Sequence, residues 1–123
     1  MSTTKAFEIN RILIPYDFSE TAALSLEHAV FMAKLLKADI YLLHILESVS
    51  FTSAFGAAFG NVDKKLETES NTKLEEIAHQ IHVGNGITVK CFTEVGRIYR
   101  KIVEVAKRES IDIIIMGTHG VSG

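Results

Sequence analysis

Ala38-Asp-Ile-Tyr-Leu-Leu-His44-Ile45-Leu46 decides how the rest of this chain is read. The run is almost continuously apolar and too short for a membrane span. An apolar run of this length, with no polar alternation, is expected of a strand buried on both faces, as in a parallel sheet covered by helices. Upstream, Arg11-Ile-Leu-Ile-Pro15 is a second short run of branched residues, closed by a proline, and reads as strand 1. Between the two, Ala22, Leu26, Ala29, Val30, Ala33 and Leu36 recur at intervals of three and four, one apolar face of a helix ending near Lys37. Asp17 and Ser19 both suit the N-cap of that helix, with Glu20 as a capping-box partner three positions after Asp17.

Downstream, residues 48–61 are rich in Ser, Gly, Ala and Phe and read as an irregular excursion. Phe51, Phe55 and Phe59 recur every fourth residue, as a loop covering the core, a lid over a pocket or an interface patch. A second helix over about 62–82 turns Leu66, Leu74, Ile77, Ala78 and Ile81 inward, and Gly84-Asn-Gly86 stops it. Residues 87–95 alternate enough for a strand at the sheet edge. A third helix follows Gly96, burying Ile98, Ile102, Val105 and Ala106 and wetting Arg97, Arg100, Lys101 and Lys107, and closes at Ser110. Residues 111–116 form a fourth strand leading into Gly117-Thr-His-Gly-Val-Ser-Gly123.

Strand and helix thus alternate as βαβαβαβ, which predicts an α/β fold: an open parallel sheet with helices on both faces. Ligands of such sheets bind beyond the carboxyl ends of the strands, where the strand order reverses. Three segments fall there: Pro15-Tyr16-Asp17-Phe18-Ser19, His44-Ile45, and the glycine turn from Gly117. A glycine turn leaving a strand exposes backbone N–H groups to an anion, although Gly-x-x-Gly alone describes an ordinary turn equally well.

The 123 residues, 47% hydrophobic, with 13 basic and 15 acidic side chains and a formal charge of −2, describe one domain over 1–123. Without clustered Lys and Arg, nucleic acid is not the expected partner. No apolar run reaches the ~18 residues of a membrane span, and no signal peptide opens the chain, so a cytoplasmic location is expected. Cys91 has no partner cysteine and reads as a small strand residue. His44 reads as a hydrogen-bonded core or crevice histidine rather than a metal ligand, and His79 and His82 as part of a solvated helix face. No metal site and no nucleophile with its base is expected.

The three segments Ile-Leu-Ile-Pro15-Tyr-Asp17-Phe-Ser, Leu-Leu-His44-Ile45 and Ile-Ile-Ile-Met116-Gly117-Thr-His-Gly120-Val-Ser-Gly123 together resemble the universal stress protein (UspA-like) family over essentially the whole chain. The resemblance implies a five-stranded parallel fold, one branch of which binds ATP through Gly-x2-Gly-x9-Gly-[Ser/Thr]. It implies that Asp17 and the backbone around Pro15, with its neighbours Tyr16 and Phe18, and Ile45 hold adenine and ribose, and that Met116, Gly117 and Gly120 line the ribose and triphosphate side, where His119, within the same glycine loop, is placed to touch phosphate. Asp17 is equally readable as a helix cap, and His119 as an exposed loop residue. The third glycine would stand at position 130, so the expectation is a domain of four strands and three helices lacking a fifth strand and fourth helix, with ATP binding (with or without Mg2+) weakened. Three functions follow in order: a stress-response module regulated by an adenine nucleotide, an interaction domain without nucleotide, and slow ATP hydrolysis. A homo-oligomer or a second domain of the same kind is the expected partner, because strand 4 otherwise forms an exposed apolar edge.

Overall fold

A computed structural model describes residues 8–47 and 53–117, with the backbone alone for 53–63. Four strands and three helices follow one another as β1 (Arg11–Pro15), α1 (Glu20–Leu36), β2 (Asp39–Leu46), α2 (Ser53–Asn85), β3 (Val89–Val95), α3 (Ile98–Arg108) and β4 (Ile113–Ile114). The strands pair in the order β3-β2-β1-β4, and every pairing is parallel. β3 is an edge strand, as its alternation predicts.

Handedness explains the layers. The chain steps from β1 to β2 to β3 in one direction and then returns past β1 to β4. Right-handed crossovers therefore put α1 and α2 on one face and α3 on the other. Packing agrees: Ile12, Ile14, Ile40 and Leu42 meet Leu26, Ala29, Ala33, Leu74 and Ile81 on one face. Leu13, Tyr41 and Leu43 meet Ile102 and Val105 on the opposite face. Successive strand residues point to opposite sides, which is why β1 and β2 read as unbroken apolar runs.

Five details differ from the expectations. The helix α2 begins at Ser53, so most of residues 48–61 is helical rather than irregular. Ala54, Ala57 and Ala58 favour helix, no proline intervenes, and extending an existing helix costs far less than nucleating one. Phe51 and the side chains of Phe55 and Phe59 lie outside the described residues. The first helix is capped by Ser19, whose Oγ accepts from Ala22 N at 3.1 Å, and not by Asp17, so the capping box with Glu20 does not form. Leu36 and Leu66 are exposed rather than inward. Ile98 is also partly open, at the start of α3.

β4 is the fifth case, with two residues instead of six. Ile12 pairs with Ile113 and Leu13 with Ile114, and Ile115 N still donates to Leu13 O at 3.0 Å. Beyond that the partner is Pro15, which has no N–H to extend the ladder. Before it, Asp112 Oδ2 accepts from the N–H groups of Asn10 and Arg11 at 2.8 and 3.0 Å, where ladder carbonyls would otherwise serve.

Candidate functional site

β1 does not release the chain at Pro15. Tyr16 N donates to Leu43 O at 2.8 Å, so the turn begins one residue later. There Asp17 Oδ1 accepts from Ser19 N at 3.0 Å, a local Asx turn that delivers Ser19 to the N-cap of α1. Phe18 between them has φ of 65°, a left-handed conformation uncommon for a bulky side chain. Its ring is held in place: edge-on to Tyr16 at 5.2 Å, tilted on His44 at 4.8 Å, with the Lys73 ammonium 5.7 Å away on its face. His44 Nδ1 lies 2.8 Å from Tyr16 O. A carbonyl only accepts, so this ring nitrogen carries the proton. His44 is thus a hydrogen-bonded histidine behind the turn, and the turn is fixed from its sequence neighbours and from β2 together.

On its other side the turn opens into a cleft of about 460 Å³, within the range of small-molecule sites. It lies where the strand order reverses, between the carboxyl ends of β1 and β4. Pro15, Tyr16, Asp17, Ser19, Thr21 and Ala22 form one wall, Leu43 and Ile45 come from β2, Met116 and Gly117 from the end of β4, and Ile98 and Tyr99 from α3. Gly117 is required by close approach. A Cβ there would lie 2.5 Å from Thr21 Cγ2 and 3.1 Å from Thr21 O, so a larger residue would push the β4 turn off the first turn of α1.

Among the described residues, Asp17 is the only carboxylate that lines the cleft, and no lysine or arginine does. Burial, reinforced by the negative charge of Asp17, raises the Tyr16 phenol above its usual range and keeps it protonated. The site therefore offers one anionic acceptor, the three hydroxyls of Tyr16, Ser19 and Thr21 and the N-terminal end of α1 along one side, with mostly apolar walls elsewhere. Such a set suits a ligand with a polar, hydroxyl-bearing part and a flat apolar part.

Of the residues singled out in the sequence, the structure gathers Pro15, Tyr16, Asp17, Ile45, Met116 and Gly117 around one cleft. Phe18 stands behind the turn rather than on the cleft wall. His119 and Gly120 lie outside the described residues. Sequence reasoning passed over Thr21, Leu43, Ile98 and Tyr99 as site residues. A signal existed for the last two, because every βα turn of a parallel sheet opens at the same end and α3 starts from the Gly96 turn. Elsewhere, His82 Nδ1 donates to Ile87 O at 2.9 Å, an engagement that ties it to the start of the next segment. Among the described residues no group of three or more His, Cys, Asp or Glu is placed to hold a metal. Cys91 directs its thiol toward Leu74 O at 3.5 Å, and burial, with Glu75 nearby, pushes its pKa up to about 12. No helix among the described residues is long and apolar enough to cross a membrane.

The family model described as "Universal stress protein family" matches residues 8–123. A universal stress protein of Methanocaldococcus jannaschii is 34% identical over 125 residues, an alignment covering 89% of this chain and 76% of the relative. The chain belongs to the universal stress protein family. Among solved structures, the universal stress protein UspA of Lactobacillus plantarum superposes with a TM-score of 0.83 at 20% identity, covering 95% of this chain and 82% of that one. Two further universal stress protein structures, each 14% identical, share the fold and contain adenine nucleotides. One, from Arabidopsis thaliana, has AMP bound (TM-score 0.64; 91% and 78% covered), and the other is a complex with cAMP (TM-score 0.62; 88% and 72% covered).

Proposed function

We propose that this universal stress protein domain is a regulatory module that binds an adenine nucleotide in the cleft between β1 and β4. In that reading occupancy alters self-association or contact with a second domain of the same kind in the cytoplasm. The observation that carries the reading is the juxtaposition of the Asp17 turn with the Met116–Gly117 turn at the strand-order reversal. AMP and cAMP bound to proteins of this fold support the choice of ligand class.

In this reading Asp17 accepts hydrogen bonds from ribose hydroxyls, as a carboxylate with two acceptor oxygens can. Pro15 and Ile45 pack the base, with their backbone groups available to its edge. Tyr16 and Phe18 hold the turn. Met116 and Gly117 lead the chain along the ribose and phosphate side; His119 and Gly120, which the family resemblance adds to that side, lie outside the described residues. The residues present fit such a group: Gly117 lets the β4 turn sit against Thr21 at the edge of the cleft, and the start of α1 presents N–H groups to negative charge. Phosphates of ATP, free or with Mg2+, would depend on backbone donors, since the described lining residues include no basic side chain. The nucleotide is a signal here and not a substrate, with slow hydrolysis ranked below binding.

Isothermal titration of the full chain with AMP and ATP tests this. Binding in the micromolar range is expected. Asp17→Ala removes charge-assisted hydrogen bonds and Gly117→Val displaces the β4 turn, each weakening affinity by about tenfold to a hundredfold. Flat titrations overturn the reading and favour the second one, an interaction domain without nucleotide, which the exposed Ile114 and Met116 at the β4 edge support.

A further inference from the structure

Tyr99 differs from the other two tyrosines in how its ring is used. Tyr41 is 3% exposed, stacks on Phe92 at 6.1 Å and carries the Lys90 ammonium 5.4 Å from its ring centre. Tyr16 packs edge-on against Phe18. Tyr99, on the first turn of α3, is 74% exposed, and among the described residues no ring or cation covers it. An aromatic ring left open is unremarkable on a general surface. This one lines the ligand-sized cleft, beside Ile98 and across from the polar α1 wall.

The cleft consequently has two unlike ends. Asp17, Ser19 and Thr21 face it from the β1–α1 side, while Ile45, Ile98 and Tyr99 supply apolar surface from the β2 and α3 side. A ligand with hydroxyls at one end and a flat ring at the other fits both at once. We propose that Tyr99 is the specificity-determining residue of the cleft: its open ring face stacks on the nucleobase, so that the site selects nucleotides over the sugar phosphates they contain. The inference rests on the nucleotide reading above and adds to it the residue that recognises the base. Stacking uses the ring and not the phenol, so phenylalanine serves equally at this position.

The test compares AMP with ribose 5-phosphate, the same ligand without its base, on the full chain. Calorimetric titration gives the affinities. The protein has no tryptophan, so quenching of tyrosine emission on AMP binding comes from the cleft tyrosines Tyr16 and Tyr99, and the part lost in Tyr99→Ala reports stacking on Tyr99. Tyr99→Ala is expected to weaken AMP roughly tenfold, to abolish most of the quenching, and to leave ribose 5-phosphate within about twofold, while Tyr99→Phe keeps AMP within about twofold of the parent. The exposed ring contributes no core packing, and an unchanged circular dichroism spectrum verifies that the variant folds. If the parent binds AMP and Tyr99→Ala binds it equally well, base stacking is wrong and the nucleotide reading stands. Failure of the parent to bind AMP overturns both. Equal weakening of both ligands by Tyr99→Ala, or a Tyr99→Phe variant as weak as Tyr99→Ala, overturns stacking in favour of a structural or hydroxyl role.

Discussion

The two ends of the parallel sheet use the same kinds of turn for opposite purposes. At the amino end of the strands, polar groups are tied off within the protein. Asp112 takes the N–H groups of Asn10 and Arg11, Asp39 N donates to Asn10 O at 2.9 Å, Ile40 N to Thr88 O at 2.9 Å, and Gly86 N to His82 O at 2.8 Å. Lys37, with φ of 58°, closes α1 by donating its N–H to Ala33 O. At the carboxyl end the turns are equally well fixed, by Asp17, Ser19 and His44, yet side chains that are not needed for closure face an open cleft. Space is left at both ends, about 380 Å³ beside Lys34, Lys37, Asp39 and Thr88 and about 460 Å³ beside Asp17, and what distinguishes the carboxyl end is the apolar wall of Leu43, Ile45, Ile98 and Met116 facing its polar turn.

That contrast can be broken from either end. Asp112→Ala at the closed end hands two exposed backbone donors from a carboxylate to water, and a loss of about 1.5 kcal/mol in urea unfolding is expected, with AMP affinity unchanged. A parallel fall in AMP affinity would show that the ends are coupled. Ser19→Ala at the open end removes the N-cap of α1 and costs about 1 kcal/mol by the same measurement. Because Ser19 also lines the cleft, AMP affinity should fall too, and a purely energetic effect would sharpen its role to capping alone.

The smallest effect concerns a fastening at the open end of edge strand β3. Burial of Glu94 opposes its ionisation, but the Arg108 guanidinium at 2.9 Å and Lys101 ammonium at 3.4 Å outweigh this and hold its pKa below the usual carboxylate value. A depressed folded pKa contributes stability above the unfolded value near 4.5, which is lost as pH falls through the lower folded value. Urea midpoints measured from pH 6 to pH 3 should therefore drop less steeply in Glu94→Gln than in the parent. Identical slopes would remove Glu94 from the acid response.

Much of the framework was legible because burial on both faces leaves a strong mark. Ile12 to Ile14 and Ile40 to Leu43 could be little else than central parallel strands, and the spacing from Ala22 to Ala33 gave the face of α1 directly. Legibility failed where a position depends on a neighbour in space. Whether Asp17 or Ser19 caps α1 turns on the φ of Phe18, which is held by His44 from β2. The length of β4 turns on Pro15, remote in the chain. Tyr99 and Thr21 join the cleft because two helices start at the same end of the sheet, which the βα alternation implies although spacing along the chain does not show which side chains meet. The motif residues were easier, since Pro15, Asp17, Ile45 and Gly117 sit at strand ends that the alternation itself locates.

The pairing of Ile113 with Ile12 also has a kinetic side. β1, β2 and β3 can associate through successive crossovers, whereas β4 must return across nearly the whole described chain to find β1. Closing so long a loop delays that contact relative to the nearer ones. Met116 and Gly117 reach the cleft only with β4, so the walls of the cleft come together through the pairing with the longest sequence separation in the sheet.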